Sequence, residues 1–258
     1  MIQRTHSILI LFLLGSQALI GAELPLDTLR AQPQPHLYRN LAIGNVVFGT
    51  GAYLYFSETW GTPNGKFHIK NELHDNVALT DEISHFYAGY KMTDGFAWLF
   101  RVLKVGPKKA NRLGALQTVL ILTLIEFPMD AYNPSQGMGL TDLVANYSGV
   151  GWGLLKKEYP NNFDMKFCVK QPPWKFKHKL LASDNAEFDN FIWWGVWKPK
   201  YVWTGIGYST NHDQPDVEPE VYLGVGTTLY DLLHLISPKV AAEVRSLDTY
   251  FISLRLRL

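Results

Sequence analysis

The chain has 258 residues, of which 47% are apolar and 14% aromatic, while only 18% are charged. So much apolar side chain excludes an intrinsically disordered protein, and a net charge of +1 gives no basic field for binding nucleic acid. The single cysteine, Cys168, excludes an internal disulfide framework and a zinc site made of several cysteines. The low charge and the many rings favour either contact with lipid or a tightly packed soluble core.

The N-terminal segment has the composition of a secretory signal. Residues 1–22 carry one arginine, then an apolar run over 8–14, then small residues, which is the order that export signals show. We therefore predict an exported protein. The alternative is an uncleaved membrane anchor, although the apolar run is short for a span. Residues 23–37 contain three prolines and are predicted to be a linker.

Residues 38–157 are predicted to form a domain of about four apolar helices. The first, over 40–57, has no charged residue and is either a membrane span or a buried helix. Its glycines at 44, 49 and 51 would allow another helix to approach closely. The following helices are predicted to begin at Thr80, at Pro107 and at Thr141, because these residue types favour helix N-termini.

The composition changes after the helical part. Residues 158–187 are lysine-rich and are predicted to be a basic linker, with contact to anionic lipid headgroups as the alternative. Residues 188–258 are predicted to be rich in strands, because Trp, Tyr, Val and Ile accumulate there. The strands are expected at 191–197, 201–209, 220–228 and 250–256. The predicted fold class is therefore α+β.

Three of the predicted helices each carry a polar pair with a spacing of four residues. The pairs are Asp81 with His85, Glu126 with Asp130, and Asp142 with Asn146. A spacing of four places both members on one helix face, and the surrounding residues are mostly apolar. We therefore predict that the pairs converge on a polar centre inside the helical domain.

Such a centre would have specific chemical uses. Imidazole and carboxylate groups together can bind a divalent metal or perform general acid–base catalysis. The alternative is structural, because Asp81 and Asp142 each follow a threonine at a helix start, where acids interact favourably with the helix dipole. Glu126 and Asp130 would then mark only the end of their helix.

Segments around these pairs resemble those of a known family. The segments are 67–71 with 79–86, then 126–130, and then 139–146 followed by Gly149. Together they resemble the YfiM-like family of predicted periplasmic or outer-membrane-associated proteins, a domain of unknown function, and more distantly the VanZ-like membrane proteins. The resemblance implies a location in the bacterial cell envelope and a shared polar centre, but no particular reaction.

Two functions follow as hypotheses. In the first, the protein is a membrane-associated scaffold or binding module, with membrane lipid or an envelope protein as its partner and no nucleic acid. In the second, it is an envelope hydrolase that acts on a lipid or lipid-linked substrate through the polar centre, with a divalent metal as the cofactor considered. The candidate residues are the same in both: Asp81, His85, Glu126, Asp130, Asp142 and Asn146.

Overall fold

The computed structural model describes residues 36–59, 61–70, 78–176, 186–213, 217–243 and 250–258. The chain combines helices with a five-stranded antiparallel sheet, which confirms the α+β class. The predicted signal over 1–22 and nearly all of the linker over 23–37 lie outside the described residues.

Four long helices occupy the first part of the described chain. They are α1 (Leu37–Thr59), α2 (Thr80–Val102), α3 (Pro107–Leu124) and α4 (Leu140–Glu158). A π-helical turn, Ile125–Asp130, continues α3. Pro107 occupies the first position of α3, where the fixed φ angle of proline already suits a helix. Asp81 and Glu82 lie in the first turn of α2, where acids interact favourably with the helix dipole. The predicted starts at Thr80 and Pro107 are correct, and Thr141 lies one residue inside α4.

The described residues separate into two compact units. One contains those of Asn76–Ser84 and Tyr159–Leu258, and the other contains those of Pro25–Asp75 and His85–Glu158. The boundary falls within the first turns of α2, which is one continuous helix. The helical unit therefore contains nearly all of the four long helices.

Apolar and amide contacts hold the helical unit together. A cluster of Leu37, Phe100, Val105 and Ala110 joins the start of α1 to the end of α2 and the start of α3. Asn45 on α1 donates a hydrogen bond of 3.1 Å to the amide oxygen of Gln117 on α3, and Gln117 donates one in return. These contacts hold α1 against α3 and against the end of α2.

The glycines of α1 have no close neighbour among the described residues. A Cβ atom at Gly44, Gly49 or Gly51 would meet nothing within 4 Å, so no described helix makes the predicted close approach there. Among the described residues, one helix is long and apolar enough to cross a membrane, namely Pro107–Asp130, and a third of its most apolar window is buried. Buried core helices pass this test of length and composition too.

The sheet forms the core of the other unit. Its strands are β1 (Phe163–Val169), β2 (Phe191–Trp197), β3 (Trp203–Asn211), β4 (Glu218–Thr228) and β5 (Phe251–Arg257). Each strand pairs with the next one along the chain. One face carries the buried side chains of Ile192, Trp194, Val196, Trp203 and Tyr222. Glycines oppose the indole rings on this face, and a Cβ at Gly224 would lie 2.5 Å from the Trp194 ring.

Two predictions for this unit need correction. The stretch 158–187 is not simply a linker, because β1 lies within it and pairs with β2 from Phe163↔Trp197 to Val169↔Phe191. Two short helices that were not predicted, α5 (Leu229–Ile236) and α6 (Pro238–Glu243), follow β4. Thr228 caps α5 by accepting a hydrogen bond of 3.1 Å from the amide of Asp231, a signal that the sequence does contain.

Candidate functional site

The polar centre lies where the backbones of α2 and α4 touch. A Cβ on Gly89 of α2 would lie 2.3 Å from the carbonyl oxygen of Asn146, and a Cβ on Gly149 of α4 would lie 2.0 Å from that of Phe86. Only glycine permits this approach, because any other residue would place a carbon inside the facing helix. The contact brings His85 of α2 against the polar face of α4.

His85 is the residue around which the other polar side chains gather. Its Nδ1 lies 3.2 Å from the amide oxygen of Asn146 and 3.7 Å from Oε1 of Glu126. Its Nε2 lies 3.8 Å from Oδ1 of Asp142. The imidazole is 24% exposed, whereas the side chains of Glu126 and Asp142 are almost fully buried. Solvent therefore reaches the centre on the side of the imidazole.

Glu126 reaches the centre from the π-helical turn. Its side chain is buried, and its Oε2 accepts a hydrogen bond of 3.2 Å from the backbone amide of Gly139. Gly139 ends a loop that is tied to an earlier segment, because Met138 donates to the carbonyl of His68 at 3.0 Å and accepts from the amide of Lys70 at 3.1 Å. The Glu126 carboxylate is therefore held in place by the backbone amide of Gly139, a residue outside the polar centre.

Asp81 and Asp142 form a group of potential metal ligands with His85. One ligand atom from each of Asp81, His85 and Asp142 comes within 4.8 Å of the other two. Asp81 precedes His85 by one turn on the same continuous helix, so α2 alone sets its place beside the imidazole. One imidazole and two carboxylates form a nitrogen–oxygen donor set of the kind that divalent metals use.

Asn146 has a polar atom that finds no partner among the described residues. The side chain is completely buried, and its Nδ2 has no hydrogen-bond partner. Turning the amide over would exchange Nδ2 and Oδ1 and would still leave one of them without a partner. An unsatisfied buried donor costs about 1–3 kcal/mol, so a ligand oxygen at this position would stabilise the site.

The two nitrogens of His85 have different surroundings. With the amide of Asn146 oriented so that its oxygen faces Nδ1 at 3.2 Å, the proton of a neutral imidazole is on Nδ1. In the neutral ring, Nε2 then carries a lone pair and faces the Asp142 carboxylate at 3.8 Å, which is too long for a hydrogen bond. A cation between these two atoms would interact favourably with both.

Asp130 does not follow the predicted geometry. The pairing of Glu126 with Asp130 assumed a regular helix, but Phe127 has an extended backbone with φ −142° and ψ 118°. The four-residue rule therefore fails within this turn. Asp130 is not part of the three-residue ligand group. Its backbone carbonyl accepts hydrogen bonds of 3.0 Å from the amides of Asn133 and Gly137.

A buried pair in the sheet unit was missed from the sequence. His212 donates from its backbone amide to Oδ2 of Asp189 at 2.8 Å, and its Nδ1 lies 2.6 Å from Oδ1. Burial alone would raise the pKa of the Asp189 carboxyl, but the hydrogen bonds from His212 outweigh burial and lower it. The two residues are far apart in sequence, so no local pattern indicates the pair.

A second charged group crosses the buried face of the sheet. Lys170 Nζ lies 2.6 Å from Oε2 of Glu220, which also accepts a hydrogen bond of 2.6 Å from Tyr222. Burial opposes ionisation of Glu220, but the Lys170 ammonium and the Tyr222 hydroxyl hold its pKa below the usual value. Burial lowers the pKa of Lys170 in spite of its partner. These contacts connect the residue after β1 to β4, two strands beyond its neighbour β2, and leave Glu220 fully engaged.

No protein-family model, curated protein or solved structure matches this chain. The resemblance to the YfiM-like and VanZ-like proteins therefore stays a prediction.

Proposed function

We propose that this chain is an exported, membrane-associated protein of the cell envelope in which helices α2 and α4 form a binding module for a divalent cation. Asp81, His85 and Asp142 supply the ligands. The observation that carries the proposal is the separation of 3.8 Å between Nε2 of His85 and Oδ1 of Asp142, with Nδ1 engaged by Asn146. The same contacts connect α2 to α4, so binding also consolidates the helical scaffold.

The distances support a cation after a small contraction. Zinc binds histidine nitrogen and carboxylate oxygen at about 2.0–2.2 Å in tetrahedral geometry, so two of its ligand atoms lie about 3.5 Å apart. The His85–Asp142 separation of 3.8 Å is close to this value. The largest separation in the ligand group, at up to 4.8 Å, requires a shift of about 1.3 Å. Rotation of the partly exposed Asp81 side chain supplies such a shift.

Isothermal titration of the chelator-treated protein with Zn²⁺ and Mn²⁺ tests the proposal. We expect about one equivalent to bind, with release of protons, because ligands lose protons on binding a metal. His85→Ala should remove this binding while the circular dichroism spectrum is unchanged. His68→Ala is the matched control, because that imidazole lies 3.1 Å from the carbonyl of Lys66 and is outside the ligand group. Equal binding by wild type and His85→Ala would refute the cation site.

A second function, metal-assisted hydrolysis, is favoured by the number of ligands. Three protein ligands leave a coordination position open for water, as in catalytic zinc sites. Glu126 is buried beside His85 and has the chemistry of a general base. Glu126→Gln should then keep the cation but abolish the release of product from phospholipid vesicles. A metal-loaded wild-type protein that releases no product from these vesicles would argue against the phospholipid hydrolase.

A further inference from the structure

One face of the sheet is apolar and exposed. Its side chains alternate with those of the buried core along each strand. Ile206 on β3 pairs with Leu223 on β4, which pairs with Leu256 on β5, and Val225 pairs with Leu254. These five side chains are adjacent across three strands, and all are exposed. We call this group the aliphatic face.

The aliphatic face continues into aromatic residues at one end of the sheet. Trp197 and Phe163 are cross-strand neighbours there, and both are exposed. Aromatic rings beside an aliphatic surface are typical of protein segments at the boundary between lipid tails and headgroups.

The charges at this end of the sheet are basic. Lys200, in the turn between β2 and β3, is exposed. The nearby acid, Asp231, is buried and paired with Lys198 at 2.6 Å. Among the described side chains around the turn and the start of α5, no exposed carboxylate balances Lys200. This end of the aliphatic face is therefore bordered by positive charge.

We propose that the aliphatic face docks on an anionic lipid surface, with Lys200 against the headgroups. This inference rests on the membrane association in the proposed function and names the surface that provides it. A second copy of the chain is the competing occupant. A symmetric dimer would place the same face on both partners, and the aliphatic face of the facing copy would offer Lys200 no carboxylate, whereas anionic headgroups complement it.

Co-sedimentation of the protein with vesicles tests the surface. Vesicles of phosphatidylcholine with phosphatidylglycerol are compared with vesicles of phosphatidylcholine alone. Ile206→Glu should weaken binding at least about tenfold, because burial of one aliphatic side chain of this size contributes that factor or more. Lys200→Ala should weaken binding to the anionic vesicles about fivefold and leave binding to neutral vesicles unchanged.

Tyr159→Glu is the matched control for the new charge. Tyr159 is 67% exposed, compared with 61% for Ile206, and lies outside the sheet. It should bind vesicles like the wild type. Thermal unfolding of both variants confirms that they fold. Equal vesicle binding by Ile206→Glu and wild type would overturn the proposal, as would a wild-type dimer in light scattering that Ile206→Glu dissociates.

The metal titration separates this proposal from the cation site. Ile206→Glu should bind Zn²⁺ like the wild type, because the substitution is on the sheet and leaves His85 unchanged. His85→Ala should bind vesicles like the wild type. If vesicle binding fails in the wild type while one equivalent of metal binds, the lipid surface is wrong and the cation site stands. If the wild type binds the vesicles but no metal, the cation site is refuted and the lipid surface is supported.

Discussion

A Cβ atom on Gly149 would lie 2.0 Å from the carbonyl oxygen of Phe86, so α4 and α2 are in backbone contact at this point. His85 precedes Phe86 by one residue, and Asn146 precedes Gly149 by one helical turn. The contact between Gly149 and the backbone of Phe86 therefore sets the distance between the side chains of His85 and Asn146, although it involves no polar side chain. Stability and ligand binding should depend on the same glycine.

Replacement of Gly149 by alanine should destabilise the helical unit. The added methyl group overlaps with the Phe86 carbonyl, so α4 must move, at a cost of about 3 kcal/mol, the upper end for overpacking. Gly151→Ala is the control, since a Cβ there meets nothing within 4 Å, and it should stabilise α4 by up to about 1 kcal/mol. Chemical denaturation measures both effects. Equal stability of the two variants would contradict the packing argument.

Removal of the Asn146 side chain should weaken cation binding through His85. The amide oxygen holds Nδ1, and loss of such a partner typically lowers metal affinity about 10–100-fold. Asn146→Ala should show this loss in the Zn²⁺ titration, whereas Asn146→Asp keeps an acceptor and should retain most of the affinity. Tyr147→Phe, next along α4, removes only the contact with Thr123 and should have no effect. Loss of affinity in Asn146→Asp as large as in Asn146→Ala would show that the acceptor is unimportant.

The thiol of Cys168 should react slowly in the folded protein. Burial raises its pKa, although Trp194 donates a hydrogen bond of 3.2 Å to the sulfur. The thiolate is the reactive form, so a disulfide reagent at pH 8 should modify the native chain at least about tenfold more slowly than the denatured chain. Absorbance of the released thiolate follows the reaction. A native rate equal to the denatured one would mean that the sheet opens readily at β1.

Acid should destabilise the sheet unit through Asp189 and Glu220. Both carboxyls have a pKa below the usual value in the fold. The stability that they contribute is complete above their unfolded pKa values of about 4 and is lost as the pH falls through the folded values. The midpoint of thermal unfolding should therefore decrease between pH 5 and pH 2. Asp189→Asn keeps an acceptor for His212 but cannot titrate, so its decrease should be smaller than that of wild type.

The parts of the fold that depend on local chemistry were predictable. Thr80 and Pro107 begin helices because a capping residue and a preformed φ angle act within one turn. Asp142 and Asn146 share a face because α4 is regular. Glu126 and Asp130 do not, because the extended backbone of Phe127 interrupts the turn, and a helical pattern alone does not reveal such an interruption.

Long-range pairing explains the other differences. Lys166 interrupts the apolar alternation of β1, yet the segment is a strand because β2 supplies its hydrogen-bond partners. Asp189 and His212 meet only after β2 and β3 have paired. The approach of Gly149 to Phe86 also requires two helices to pack. Tertiary contacts, rather than the propensity of each segment, determine these features.

The rings of Trp194 and Trp203 occupy the space that Cβ atoms would need at Gly224 and Gly226. Each indole ring therefore fills the space beside the glycine opposite it, so the sizes of the two residues depend on each other. Enlargement of the glycine requires a smaller ring, and loss of the ring leaves a void above the glycine. Divergent descendants of this sheet should consequently change these positions in concert, so paired tryptophan and glycine columns would identify a distant relative even after the polar residues around His85 had changed.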